Sequence, residues 1–190
     1  QGFGNTLSSI GIIIAFGSII GTFLEKSGGT KKIARTLLRI IGTKKSPLAM
    51  NITGMIVSIP VFCDSAFIIL SSLNKALSKK TGISLVVFAV ALSSGLYVSH
   101  VFIPPTPGPL AAAAALEANI GLVILLGIVV AIPTALVGYF WALRCNTPIA
   151  TTQNITSDNI EKPTEKLPSL LTVIAPILIP ILLIPLQSIA

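Results

Sequence analysis

The chain has 190 residues, 53% of them apolar and 10% charged, where an ordinary globular domain carries about 25% charged residues. With a mean hydropathy of +0.92, this composition excludes a disordered tail and an ordinary water-soluble domain, because so small a core cannot hide that much apolar surface. The formal net charge is +7, but the basic residues flank apolar runs as cytoplasmic loops do, which argues against nucleic acid as a partner.

Five apolar stretches cover 3–24, 47–73, 83–103, 120–143 and 169–189, each 21 to 27 residues long. About 20 apolar residues in a helix cross the hydrocarbon core, so the expected fold class is an all-α polytopic membrane protein without a soluble domain. Seventeen of the 19 charged residues lie in three clusters, at 25–45, 74–80 and 144–168; Asp64 and Glu117 are the exceptions. No basic segment precedes the first apolar run, so no signal peptide is expected. Starting at Gln1 and ending apolar at Ala190, the chain reads as a piece of a longer one.

The first span, 3–24, ends at Ser27-Gly28-Gly29-Thr30, a helix stop followed by an N-cap at Thr30. Residues 30–41 then form an amphipathic helix, with Ile33, Leu37, Leu38 and Ile41 on one face and Lys31, Lys32, Arg35 and Arg39 on the other. It is expected to lie at the cytoplasmic membrane interface. The whole cytoplasmic segment covers 25–45.

Stretch 47–73 poses a topological conflict. If it crosses once, the basic clusters at 25–45 and 74–80 face opposite sides, against the positive-inside rule. Pro60 lies near its middle and breaks the helix, leaving two arms of about 13 residues that each reach roughly 20 Å. A re-entrant hairpin over 47–73, entering and leaving by the same face, removes the conflict. Backbone turned at that depth must be satisfied by protein or by a watery cavity, and Cys63, Asp64 and Ser65 at the turn supply polar groups for one.

The next stretch runs into Pro104-Pro105-Thr106-Pro107-Gly108-Pro109. Four prolines in six residues interrupt a helix, which can resume at Leu110 with Pro109 at its first position. Residues 83–118 are therefore expected as one broken transmembrane helix. The bland alternative is an external proline-rich loop. Span 120–143, with Pro133 inside, returns to the side of Arg144. A cytoplasmic linker over 144–168 and the start of a further span over 169–190, interrupted by Pro176, Pro180 and Pro185, complete the chain.

Asp64 is the most informative residue, because a charge inside a membrane segment marks a functional site by default. The alternative is a helix cap in bulk water. His100, the one histidine, lies four residues before the proline break and has the ordinary titration range of a proton carrier; it could equally hydrogen-bond a carbonyl freed by the break. Both abut the helix breaks, so they are expected to share one site, with Ser65 and Ser99 beside them. Unwound backbone at the break and the positive end of the resuming helix suit a carboxylate ligand. Thr106 would supply a hydroxyl and Gly108 close approach. Glu117 is expected at the interface, solvated. Asn51-Ile52-Thr53 and Asn154-Ile155-Thr156 match the glycosylation pattern only weakly. Neither a phosphate loop, a nucleophile elbow nor a paired carboxylate is present, no metal site is expected from Cys63 and Cys145, and no cofactor and no enzymatic activity are expected.

Ser27-Gly28-Gly29, the run IPVFCD at 59–64 and HVFIPPTPGP at 100–109 together resemble the gluconate:proton symporter (GntP-type) permeases, over nearly all of 4–143. The resemblance implies a bacterial inner-membrane, multi-pass carrier from a larger group of ion transporters built from inverted repeats, each with a re-entrant hairpin and a broken helix. This chain would supply about one repeat. Two positions depart from the family pattern: Cys63 stands where a second aromatic is common, and Thr106 where a histidine is common.

The leading expectation is proton-coupled uptake of gluconate or a related small hydroxylated sugar acid. Asp64, His100, Ser65, Ser99, Thr106 and Gly108 form the site; Pro60, Pro104, Pro105, Pro107, Pro109, Gly28 and Gly29 are hinges. The partners are the anionic substrate, protons and the lipid bilayer, with a homo-oligomer an open alternative. A channel, or a membrane-embedded enzyme using Asp64 and His100 as acid and base, is the competing reading.

Overall fold

A computed structural model describes residues 2–147 and 168–189. Every long element among them is an α-helix: α1 Gly2–Lys26, α2 Gly29–Ile41, α3 Ser46–Val57, α4 Cys63–Thr81, α5 Leu85–Phe102, α6 Pro107–Ala115, α7 Ile120–Arg144 and α8 Leu170–Ile189, with a 3-10 turn at Thr43–Lys45 between α2 and α3. The Asn154 sequon and nearly all of the expected linker 144–168 lie outside the described residues.

The register of α3, α4 and α5 sets the architecture. Asn51 Nδ2 donates to the Ala91 carbonyl at 3.0 Å and to Ser94 Oγ at 2.8 Å, Gly54 lies against Leu92 and Leu96, and Ile59, beyond α3, packs on the cluster that contains Val98 and Ile103. Advancing along α3 therefore advances along α5. In α4 the order reverses: Cys63 and Phe67 face Leu96 and Tyr97 across a groove, Asn74 Nδ2 reaches the Phe88 carbonyl, and Ser78 Oγ donates to the Ile83 carbonyl at 2.7 Å. The two arms thus run in opposite directions against α5, as a hairpin does. Its turn, 58–62, lies level with His100, about halfway along the 31-residue apolar segment Leu85–Ala115. Helix α7 runs back along α5, from Gly127 beside Phe102 to Gly138 beside Ser94, and Ser84 Oγ donates to the Thr147 carbonyl at 2.9 Å. The start of α3, the end of α4, the start of α5 and the end of α7 consequently gather at one end of the bundle, carrying Lys44, Lys45, Lys79, Lys80 and Arg144.

Close approach of these helices depends on missing side chains. A Cβ on Gly95 would collide with the Asn51 carbonyl oxygen, and one on Gly54 would come within 2.7 Å of the Leu92 carbonyl oxygen. Small residues that let backbones touch are the usual means of packing helices in lipid, where apolar burial drives association little. Around this contact Met50, Val57, Leu70, Phe88, Leu92 and Leu96 form the main core.

Outside the core the surface stays apolar. Ile12, Phe16, Ile19 and Phe23 on α1 are each 64% exposed or more, as are Leu126, Val129 and Val137 on α7, far more than a water-soluble monomer shows. Two helical segments among the described residues are long and apolar enough to cross a membrane, Leu85–Ala115 with mean hydropathy 1.9 and Ile120–Arg144 with 2.8.

Several expected boundaries shift for local reasons. Thr30 does not cap α2: Gly28 takes that position in the left-handed region at φ 74°, and Thr30 is buried in the first turn. Part of the apolar face of α2 packs on protein, with Ile33 and Ala34 buried in the main core, while Ile40 stays exposed. The arms of the hairpin are unequal, 12 and 19 residues, because α4 continues past Leu73 until Gly82 terminates it at φ 73°; the cluster 74–80 is its last turns. Helix α6 starts at Pro107 rather than near Leu110, since first-turn prolines forfeit only N–H groups that have no intrahelical partner. Pro133 lies within an unbroken α7, and Pro176, Pro180 and Pro185 within α8.

The Gly95 contact gives a direct test. Gly95→Ala must push α3 from α5 and should cost about 1–3 kcal/mol, lowering the melting temperature of the detergent-purified permease. Gly17→Ala, with nothing within 4 Å of the added carbon, should leave it within a degree or two of the parent. Equal melting for both variants would refute the contact.

Candidate functional site

Two interruptions of helix meet at the middle of the bundle. The turn 58–62 follows from Pro60, whose missing N–H and fixed φ end α3, and α1 lies directly against it: a Cβ on Gly21 would collide with the Pro60 carbonyl oxygen. The second interruption, 103–106, separates α5 from α6. There Thr106 is 5% exposed, and its hydroxyl donates to the Ile103 carbonyl at 2.8 Å, satisfying an acceptor that the broken helix leaves open. Pro107 begins α6 with its N-terminus toward the break.

A cleft of ≈ 20 Å³ lies between these segments, lined by Ser18 of α1, Pro60 and Phe62 of the turn, and His100, Pro105, Thr106 and Pro107 of the break. That volume holds about one water. The His100 ring meets the Phe62 ring edge-on with centroids 6.5 Å apart. His100 Nδ1, Ser99 Oγ and Ser58 Oγ are buried without a hydrogen-bond partner. Buried polar atoms in folded proteins are nearly always paired; of these three, only His100 Nδ1 belongs to a residue lining the cleft, where a water or ligand could satisfy it.

Asp64 lies in a second, larger cavity. It occupies the second position of α4, where the helix dipole stabilises a carboxylate, and it is exposed. Its recorded contact is with the Cys63 thiol, Sγ to Oδ1 3.8 Å. The groove around it, ≈ 290 Å³, is lined by Cys63, Asp64, Phe67, Ile68, Ser93, Leu96 and Tyr97. Small-molecule sites start at roughly 300 Å³, so this groove, not the cleft, has room for a compact ligand.

The expected site residues therefore separate into groups. His100 and Thr106 line the cleft with Pro60, Pro105 and Pro107, while Asp64 lines the groove; the two titratable groups flank the same turn but do not share one cavity. Ser65, Ser99 and Gly108 line neither, and Gly108 has open space beside it. Pro104 and Pro109 are buried. Gly28 and Gly29 sit at the α1–α2 junction, away from the breaks, where a Cβ on Gly29 would press on Leu24. Glu117 is exposed at the end of α6 with φ 51°. No group of three metal-ligating side chains occurs among the described residues. Sequence reasoning passed over Ser18, Phe62, Ser93 and Tyr97. A signal for two of them existed: Ser93, Tyr97 and His100, spaced four and three apart, share one face of a largely apolar helix that also carries Ser94 and Ser99.

Comparison with known proteins gives this geometry a context. The chain is 47% identical over 131 residues to an uncharacterized permease of Haemophilus influenzae, covering 69% of this chain and 27% of that protein. It is 36% identical to a gluconate permease of Pseudomonas aeruginosa, covering 100% of this chain and 43% of the relative. It is 35% identical over 137 residues to the Gnt-II system L-idonate transporter of Escherichia coli, covering 72% and 31%. The chain thus spans less than half the length of these relatives, which are permeases and transporters by name, not enzymes. No solved structure matches it. Residues 1–190 in full match the GntP family permeases, and the chain belongs to that family.

Proposed function

We propose that the chain is one repeat of a secondary active transporter that couples proton entry to uptake of gluconate or a related small hydroxylated sugar acid across the bacterial inner membrane. The observation that carries the reading is the meeting of two helix breaks, 58–62 and 103–106, beside His100 and two residues from Asp64. Non-helical backbone at membrane depth is tolerated where it is buried or lines a cavity, and carriers bind substrate at such breaks. The names of the relatives, gluconate permease and L-idonate transporter, support a hydroxylated sugar acid as cargo.

In this reading Leu85–Ala115 and Ile120–Arg144 cross the bilayer, and the α3–α4 hairpin enters and leaves from the cytoplasm. The gathering of Lys44, Lys45, Lys79, Lys80 and Arg144 at one end supports that orientation. The inverted-repeat partner that completes the site lies in the remainder of the longer permease.

Coupling follows from like charge. Asp64 is the one carboxylate lining either cavity, and an anionic substrate beside it is favoured only when Asp64 carries its proton. Proton and substrate then strengthen each other's binding by the same factor, as linkage requires. His100, at the other side of the turn, supplies a cationic or hydrogen-bonding group for the substrate carboxylate.

Two measurements test the reading in the complete permease. With Cys63 and Cys145 replaced by serine, Lys32→Cys and Lys79→Cys should both label only from the cytoplasmic side of intact cells; labelling from opposite sides removes the hairpin topology. Asp64→Asn mimics the protonated acid, so pH-driven accumulation of labelled gluconate in vesicles should fall to background while counterflow exchange persists. Normal accumulation by Asp64→Asn would transfer the coupling role away from this residue.

A further inference from the structure

We propose that Ser93 and Tyr97 read the hydroxyl groups of the transported acid, in the groove they share with Asp64, and thereby set which sugar acid the permease accepts. The inference rests on the transport reading above and deepens it.

The first observation is the placement of the two side chains. Ser93, Tyr97 and His100 follow one another at spacings of four and three residues, so they share one face of α5 over about 10 Å of helix. His100 ends that stripe at the break, and Ser93 and Tyr97 line the ≈ 290 Å³ groove at the start of α4. A substrate whose carboxylate sits near His100 would extend its hydroxylated carbons along this stripe.

The second observation is unused hydrogen-bonding capacity. Most hydroxyls on these apolar helices donate back to their own backbone: Ser18 to Ile14, Ser94 to Ala91 and Thr134 to Val130. Ser93, adjacent to Ser94, makes no such bond among the described residues, and neither does the Tyr97 hydroxyl. Asp64 Oδ1 meets only the weak donor of Cys63. A serine, a half-exposed tyrosine and an aspartate lining one groove suit a polyol, whose hydroxyls both donate and accept. Phe67, Ile68 and Leu96 line the rest of the groove, an apolar surface for the C–H faces of the same molecule. A site that hydrogen-bonds a substrate hydroxyl discriminates strongly against an analogue lacking it, because its own polar groups are then left unpaired.

The test uses the full-length permease in proteoliposomes under a pH gradient, with labelled gluconate and its single-deoxy analogues. Tyr97→Phe and Ser93→Ala remove a hydroxyl and little else. Each should raise KM for gluconate roughly tenfold with kcat within about twofold of the parent. For the deoxy analogue lacking the matching hydroxyl, parent and variant should show the same KM. A KM for gluconate within twofold of the parent in both variants overturns the inference, as does a parallel loss for gluconate and every deoxy analogue. If a variant transports neither, gluconate-induced thermal stabilisation decides: equal shifts in parent and variant overturn the proposal, and a shift confined to the parent supports it. A parent permease that takes up neither gluconate nor idonate overturns the transport reading itself, which separates the two failures.

Discussion

Backbone lies against backbone where α3 crosses α5, and the height of that crossing fixes the positions of the other parts of the site. Gly54 and Gly95 remove the side chains that would hold the two helices apart, and Asn51 locks the register by donating to Ala91 O and Ser94 Oγ. Interhelical hydrogen bonds of this kind contribute only about 0.6 kcal/mol on average in lipid. Their value here is directional: a slip of one turn would carry the 58–62 bend past His100 and separate the two helix breaks. Packing that tolerates no Cβ is also packing that tolerates no slip. The same device recurs where Gly21 meets Pro60 and Gly127 meets Phe102, so a glycine of a neighbouring helix packs against each break.

Much of this arrangement is legible in the sequence, and the reason is electrostatic. Charged residues are so scarce that the few present bear on topology, and the placement of the lysines around 47–73 points to two antiparallel arms, the arrangement that α3 and α4 take against α5. Four prolines in six residues likewise leave little choice about a break before Thr106. What stays hidden is finer. Nothing local in 70–85 says that α4 outlasts its apolar stretch by two turns, because Lys75, Lys79 and Lys80 are good helix formers as well as loop residues. Proline 107 looks like part of the break until its place in a first turn is known. The separation of Asp64 from His100 into two cavities depends on how the 58–62 turn packs against α1 and α5, which no periodicity encodes. Ser93 and Tyr97 were readable as a stripe, but only once His100 is recognised as its last member.

In the transport reading proposed above, the cleft and the groove would take different parts of one sugar acid. The cleft has room for about one water, the partnerless Nδ1 of His100 and no carboxylate, while the groove is wider, open and carries Asp64. A sugar acid has a charged end and a polyol body, and these differ in what they need. The carboxylate needs a positive or donating end, which His100 and the start of α6 offer. The polyol needs a mixed surface of hydroxyls and hydrocarbon, which α5 and α4 offer. An extended ligand laid along α5 would meet both.

The two breaks are costly on their own, and their adjacency explains how a membrane protein sustains them. Each leaves backbone carbonyls and amides without helical partners, and in hydrocarbon an unpaired group costs several kcal/mol. Part of that debt is met locally, by Thr106 on the Ile103 carbonyl and by the near-helical bond from Val61 N to the Val57 carbonyl. Stacking one break on the other concentrates the remainder in a single small volume, where water or ligand can reach it. In the transport reading proposed above, the polar atom left unpaired in the cleft, His100 Nδ1, is one that a hydroxylated anion would satisfy.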